Sequence, residues 1–151
     1  MVTMIGTELS MATLVEDFLR AQVEAASACR QASRWLNDRA ARDVVAALAG
    51  IHERDIERLR EVAANCGAHP PERGTDHEAR TFGMLVLAVD RDGDGAILDA
   101  IARVEDEVLT AYQRALRSTV LPETLEPVFA DALDELRRRR ERLDAAKRVA
   151  A

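Results

Sequence analysis

Apolar residues recur at steps of three and four positions along four long stretches of the chain. In the first stretch, residues 9–35, the apolar positions include Leu14, Phe18, Ala25, Cys29 and Ala32. This spacing matches one face of an α-helix, because an α-helix completes a turn every 3.6 residues. The stretch therefore predicts an amphipathic helix that buries one side.

The second stretch, residues 38–66, carries signals for both of its ends. Its apolar face comprises Val45, Leu48, Ile56, Leu59, Ala63 and Cys66. Asn37 or Asp38 can cap the start, because a short side-chain oxygen can accept from a free backbone N–H there. Gly67 is expected to end the helix, since glycine adopts the left-handed conformation that follows many helices.

Two further stretches complete the helical pattern. The third, residues 95–118, has Ile97, Ile101, Val104, Val108, Tyr112 and Ala115 on one side. The fourth is expected to start with Thr124 as its cap and Pro127 in its first turn, where proline's missing N–H costs little. Its apolar face comprises Leu125, Phe129, Ala132, Leu136 and Leu143.

The connection between the second and third stretches, residues 67–94, is the longest of the chain. It contains AHPPERGTDHE, which breaks helices, and then TFGMLVLAV, which predicts a short extra helix. Four amphipathic helices bury their stripes best against one another. We therefore predict one all-α domain, residues 1–151, folded as an antiparallel four-helix bundle.

Composition and charge narrow the expected partners and location. The net charge is −6, so there is no overall basic field of the kind that attracts nucleic acid. No apolar run approaches the roughly 20 residues of a membrane span. The first residues lack the basic and apolar regions of a signal peptide. We expect a cytoplasmic protein that binds neither nucleic acid nor membrane.

Several residues of types that often form functional sites are better explained here by ordinary structural roles. Cys29 and Cys66 lie far apart on apolar faces and are expected to be buried free thiols. His69 and His77 occupy the proline-rich connection, without metal-ligand spacing, and are expected to be solvated. RRRRER, residues 137–142, is expected to be a solvated helical face paired with nearby carboxylates.

The segment VDRDGDGAILDAI, residues 89–101, resembles the start of a calcium loop. An EF-hand loop needs a bidentate glutamate at position 12 and an oxygen ligand at position 9. Counting from Asp90, these positions hold Ile101 and Leu98, which offer no side-chain oxygen. We therefore expect Asp94 to cap the third helix instead.

Polar residues interrupt or border the apolar stripes near the middle of each helix. They are Gln22 on the first helix, His52 and Asp55 on the second, Glu105 and Tyr112 on the third, and Arg139 and Arg140 on the fourth. An antiparallel bundle would bring them to one level. Because an isolated buried charge is costly, we expect them to form one inner polar layer.

Two interpretations of this layer remain open. In the preferred one, Glu105 pairs with an arginine, and His52, Asp55 and Gln22 complete a hydrogen-bonded structural layer. In the other, His52, Asp55 and Glu105 hold iron or manganese. A two-metal site normally needs inward glutamates with Glu-x-x-His pairs, and the position three before His52 is Ala49. A guanidinium in the layer would also repel a second cation.

Four segments carry a family resemblance over about residues 12–148. They are LVEDFL, CGAHP, DGDGAILDAIARVEDEVLTAYQRAL and LPETLEPVF. In these segments the chain resembles a bacterial family of ferritin-like four-helix proteins of unassigned function. The resemblance implies a ferritin-like bundle in a small cytoplasmic protein.

The resemblance also bears on metal binding. Active ferritin-like proteins surround two irons with carboxylates and histidines, and Glu105 matches such a carboxylate. Gln22 stands where the first helix would supply another carboxylate, and Arg140 stands where a histidine would be looked for. The resemblance therefore implies a ferritin-like bundle without a complete di-iron site.

We accordingly expect a non-catalytic binding or stress-related protein. The alternative is an iron or manganese storage protein or oxidoreductase that uses His52, Asp55 and Glu105. We also expect a homo-oligomer, with a dimer favoured, formed through apolar residues of the segment 79–89.

Overall fold

The computed structural model describes residues 10–69, 81, 83–89 and 93–150, and these residues form helices and no strand. The four long helices are α1 (Met11–Trp35), α2 (Arg39–Cys66), α3 (Asp94–Leu116) and α4 (Glu126–Ala150). The predicted all-α class is confirmed for this part of the chain. The first three helices begin and end within two residues of the predicted bounds.

Local capping explains where α1 and α2 begin and end. The Ser10 hydroxyl accepts a hydrogen bond from the backbone N–H of Thr13 at 3.2 Å. The Asp38 carboxylate accepts one from Ala41 at 2.7 Å, which confirms Asp38 as the cap of α2. Gly67 follows α2 in the left-handed region with φ of 75°, where a side chain would be strained.

The prediction that Asp94 caps the third helix is wrong. Gly93 holds the cap position, and Asp94 is the first residue of α3. The Asp94 carboxylate instead accepts hydrogen bonds from the backbone N–H groups of Asn37, at 2.9 Å, and Asp38, at 2.7 Å. Free N–H groups at the start of α2 attract this carboxylate. It therefore ties the α1–α2 turn to the start of α3.

The calcium-like segment becomes helix after its first residues. Ile97 and Ile101 are buried in α3, as predicted, so the chain from Asp94 onward cannot form a calcium loop. Asp90 and Asp92 lie outside the described residues.

The contacts between the helices define their relative directions. α1 packs against α2 and α3, and α4 packs against α3 and α2. The Asp94 contact places the start of α3 beside the turn where α1 ends and α2 begins. Hence α2 and α3 both run away from this end, whereas α1 runs toward it. Side chains from all four helices, including Phe18, Leu48, Ile101 and Leu136, form one buried core.

A short helical segment, residues 83–89, lies in the connection between α2 and α3, with the helical residue Thr81 just before it. Its Leu85 is buried, and the Thr81 hydroxyl donates to the buried Glu24 carboxylate of α1 at 2.5 Å. Its exposed large apolar side chains are Met84, Val86, Leu87 and Val89. The predicted extra helix is thus present, and the oligomer contact through this segment stays a prediction.

Other predictions made from single residues have mixed outcomes. Cys29 is a buried free thiol, as predicted, whereas the free thiol of Cys66 is only half-buried. His69 is exposed, and His77 lies outside the described residues. None of the helices described has an apolar stretch long enough to cross a lipid bilayer.

The Asp94 contact predicts a pH-dependent contribution to stability. Desolvation opposes ionisation of Asp94, but hydrogen bonds from Asn37 and Asp38 outweigh it and hold the pKa of this carboxyl below its usual 3.8. A lowered pKa adds stability above pH 3.8, and this is lost as the pH falls through the lowered pKa. At pH 7, Asp94→Ala should lower the free energy of unfolding by about 1 kcal/mol.

Urea unfolding from pH 7 down to pH 3 measures this difference, with Asp43→Ala as the control at an exposed aspartate of α2. The gap between the native protein and Asp94→Ala should shrink as the pH falls. A gap that is absent at pH 7, or that does not change with pH, would contradict the contact.

Candidate functional site

Three fully buried polar side chains meet in the centre of the helical core. Gln22 of α1, His52 of α2 and Glu105 of α3 are each 0% exposed. The His52 ring lies between the other two, with Nε2 2.7 Å from Glu105 Oε1 and Nδ1 2.6 Å from Gln22 Oε1. The structure therefore brings together three of the residues predicted to form an inner layer.

Two more predicted residues extend this row of hydrogen bonds. Gln22 Nε2–H donates to the Tyr112 hydroxyl at 2.8 Å, and that hydroxyl donates to Asp55 Oδ2 at 3.2 Å. Asp55 is only 3% exposed. A continuous polar row thus runs from Asp55 through Tyr112, Gln22 and His52 to Glu105.

The hydrogen bonds of the row determine which of its atoms carry a hydrogen. An ionised carboxylate can only accept, so Tyr112 must donate to Asp55 and accept from the Gln22 amide N–H. The Gln22 carbonyl oxygen then faces His52 Nδ1, which must carry a hydrogen. His52 Nε2 is left facing Glu105 Oε1 at 2.7 Å.

Cys29 adds a thiol to the inner end of the row. Its Sγ lies 3.6 Å from Glu105 Oε1 and can donate to it. Burial, followed by the charge of Glu105, raises the pKa of the Cys29 thiol well above its usual range. Donor atoms of Cys29, His52 and Glu105 all lie within 4.8 Å of one another. We call these three residues the buried cluster.

Glu105 Oε2 is the one buried side-chain oxygen or nitrogen of the described residues that has no hydrogen-bond partner. Buried polar atoms are nearly always paired, because leaving one unpaired costs about 1–3 kcal/mol. His52 and Cys29 contact the other oxygen, Oε1, so the Glu105 carboxylate has one oxygen left that could pair with a cation or a hydrogen-bond donor.

Of the three candidate metal ligands predicted from sequence, the structure brings together His52 and Glu105 but not Asp55. Asp55 was expected beside His52 and Glu105, but its carboxylate receives the Tyr112 hydroxyl at the opposite end of the polar row. Cys29 lies there instead. Its position seven residues after Gln22 puts it on the same face of α1, a signal that marks it as inward but not as a ligand.

The prediction that Glu105 pairs with an arginine is also wrong. Arg140 is half-buried on the flank of α4, where its guanidinium pairs with Asp106 at 2.9 Å and with Asp144. Arg139 is likewise only half-buried. Leu136 and Leu143 take the inward positions of α4, so the arginines stay where water still reaches their charge.

The outer end of the polar row lines a groove of about 550 Å³ between α2 and α4, called the α2–α4 groove below. Asp55 and Tyr112 lie on its inner side. The Tyr112 ring packs against Phe129, with centroids 5.6 Å apart, and against Phe18, at 4.7 Å. The sequence did not predict this groove, because it exists only once two helices are placed side by side.

The comparisons with known proteins give no family for this chain. No protein-family model matches the sequence, and neither the curated proteins nor the solved structures searched include a match.

Removing the Tyr112 hydroxyl from the middle of the polar row should lower the stability of the protein. Tyr112→Phe leaves Asp55 without a donor and the Gln22 amide without an acceptor, so the free energy of unfolding should fall by about 1–3 kcal/mol. A double-mutant cycle with Gln22→Leu should show that the two changes are coupled. Chemical unfolding of the four proteins provides the values, and strictly additive effects would argue against the row.

Asp55 predicts a pH dependence opposite to that of Asp94. Burial raises its pKa, although the charges of His52 and Arg58 and the Tyr112 hydrogen bond oppose the shift. A raised pKa gives a stabilising contribution that is full below 3.8 and is lost as the pH rises through the raised value. The native protein should therefore gain stability relative to Asp55→Asn as the pH falls from 7 to 4.

Thermal or urea unfolding of the two proteins across this range measures the change, and Asp43→Asn controls for an exposed aspartate on the same helix. If the native protein instead lost stability relative to Asp55→Asn as the pH fell, the predicted direction of the pH dependence would be wrong.

Proposed function

We propose that the protein is a non-catalytic binding protein that holds one divalent transition-metal ion of the zinc class at the buried cluster. The observation that carries the proposal is a buried thiol, imidazole and carboxylate set whose donor atoms lie within 4.8 Å of one another, together with the unpaired second oxygen, Oε2, of its Glu105 carboxylate. A bound cation would pair this oxygen and neutralise the carboxylate.

The donor set suits zinc by chemistry and by size. Zinc binds cysteine sulfur at about 2.3 Å and histidine nitrogen or carboxylate oxygen at about 2.0–2.2 Å, so its ligand atoms lie about 3–4 Å apart. The 3.6 Å between Cys29 Sγ and Glu105 Oε1 fits directly. The 2.7 Å between His52 Nε2 and Glu105 Oε1 is a hydrogen-bond distance, and it would open by about half an ångström around an ion.

Gln22 supports the proposal through the orientation of His52. Histidines that bind metals usually donate their other ring N–H to an oxygen, which fixes the ring and its tautomer. The Gln22 carbonyl oxygen takes this role at 2.6 Å from Nδ1, and Tyr112 holds the amide from the other side at 2.8 Å. The row therefore turns Nε2, and not Nδ1, toward the buried cluster.

Cys29 changes which metal is expected. Thiolate is a soft ligand that favours zinc, whereas manganese favours carboxylate and other oxygen ligands. Iron and manganese, the metals of the alternative interpretation of the sequence, are therefore second to zinc. The buried cluster supplies three ligand residues, which leaves a fourth coordination position open. All three side chains are 0% exposed, so a substrate has no access to that position, and this favours binding over catalysis.

We also propose that the fold is a ferritin-like four-helix bundle. What supports this is the parallel course of α2 and α3, which requires one connection to cross the length of the assembly, as in ferritin-like folds. The contact of Asp94 with Asn37 and Asp38 carries that argument. The proposal for the metal does not depend on it.

A second candidate is a metal-free structural layer in a binding protein of another kind. The observation that favours it is the 2.7 Å contact between His52 and Glu105, which lets an imidazolium and a carboxylate neutralise each other without a metal. Metal content distinguishes the two candidates directly.

The test is the metal content of the protein purified from cells supplied with zinc, iron and manganese. Native protein should contain close to one zinc per chain, and Cys29→Ser, His52→Gln and Glu105→Gln should each lose it. Cys66→Ser is the matched control, because Cys66 lies on α2 outside the buried cluster. Circular dichroism establishes that each variant is folded.

Native protein that stays metal-free in excess zinc would overturn the proposal, as would folded variants that keep their zinc. Metal-free protein together with a lower stability of Glu105→Gln would favour the structural layer.

Zinc binding should also release protons. The Cys29 thiol is held in its neutral form by burial and by the Glu105 charge, which raise its pKa, so an ion must displace its proton. Zinc affinity should therefore rise with pH, and calorimetry in buffers of different ionisation enthalpy should detect released protons. Affinity that does not change between pH 6 and pH 8 would argue against thiolate ligation.

A further inference from the structure

We propose that the α2–α4 groove binds a small organic cation, an amine with an apolar body, whose ammonium group contacts Asp55. This goes beyond the metal proposal and does not depend on it, since the groove and the buried cluster lie at opposite ends of the polar row.

The size and walls of the groove suit such a ligand. Its volume of about 550 Å³ lies in the range of about 300–1,000 Å³ typical of small-molecule sites. Leu59 and Val62 of α2 and Phe129 and Ala132 of α4 line it, with Leu125 just before α4. These side chains offer an apolar surface that an alkyl or aromatic body can cover.

The charges around the groove favour a cation over an anion. The lining carboxylates are Asp55, Glu61, Asp131, Asp134 and Glu135, and the lining guanidiniums are Arg58 and Arg138. Arg54 and Arg137 pair with Glu135 and Asp134 from outside the lining. Five negative charges against these four positive ones leave the groove negative.

Asp55 provides the anchor for the charged head. It is a carboxylate that is 3% exposed on the inner side of the groove. Its Oδ2 accepts from Tyr112, while its Oδ1 is 3.6 Å from an Arg58 nitrogen, farther than a hydrogen bond. An ammonium group can therefore donate to Oδ1 without displacing Tyr112.

The surroundings of Asp55 strengthen this preference. The aromatic rings of Tyr112 and Phe129 line the groove, and aromatic rings attract cations as well as apolar groups. Arg58, the nearest positive charge, has a side chain that is 55% exposed and can turn toward solvent when an ammonium enters. An anion in the same place would meet a desolvated carboxylate.

The test compares three probes of equal length: n-hexylamine, 1-hexanol and hexanoate. Isothermal titration calorimetry, or NMR chemical shifts where binding is weak, gives the dissociation constants. Native protein should bind the amine at least about tenfold more tightly than the alcohol or the acid, because a charge-assisted hydrogen bond contributes that much.

Two variants locate the site. Asp55→Asn, which preserves shape and removes the charge, should weaken amine binding at least about tenfold, while Asp43→Asn on the same helix should leave it unchanged. Val128→Arg places a positive charge on a wall residue that is 41% exposed, so the fold should survive and amine binding should be lost.

Three results would overturn the proposal. They are an amine that binds no better than the alcohol, an amine affinity unchanged in Asp55→Asn or in folded Val128→Arg, and no detectable binding of n-hexylamine at millimolar concentration. Metal-free protein should bind the amine, so the outcome is separate from that of the metal test.

Discussion

The interior of this protein depends on the two hydrogen bonds of the His52 imidazole. Its two ring nitrogens reach Gln22 on α1 at 2.6 Å and Glu105 on α3 at 2.7 Å, so one side chain of α2 joins three helices. Because all three groups are fully buried, none can turn to water if the others move. This requirement fixes the helices at one level around the polar row.

A contribution to the free energy of unfolding does not by itself explain why the core contains this polar row. A buried charged pair contributes little compared with well-packed apolar residues, because removing charges from water costs several kcal/mol. The surrounding core is apolar, with Phe18, Leu48 and Ile101 fully buried, and could be continued with side chains of the same kind. The binding proposed at Glu105, which has an unpaired oxygen, and at Asp55, which lines the α2–α4 groove, would account for the row.

The sequence predicted what short-range rules control. Helical spacing and the residues Asp38 and Gly67 placed the ends of the helices, and polar interruptions of the stripes marked Gln22, His52 and Glu105 as inward. Partners distant in sequence were beyond these rules. Asp94 reaches across 57 positions to Asn37, and Arg140 across 34 to Asp106. A cysteine in an apolar stripe has the spacing of an ordinary core residue. The sequence therefore did not mark Cys29 as a neighbour of His52 and Glu105.

The proposal with the widest consequences is that the buried cluster binds a metal through the Cys29 thiolate. Cobalt(II) in place of zinc tests it most directly, because a sulfur–cobalt bond produces a charge-transfer absorption in the near ultraviolet. This band should develop to one equivalent in native protein and in Cys66→Ser, and should be missing in folded Cys29→Ser. Bound cobalt without the band, or an equal band in Cys29→Ser, would contradict the claim.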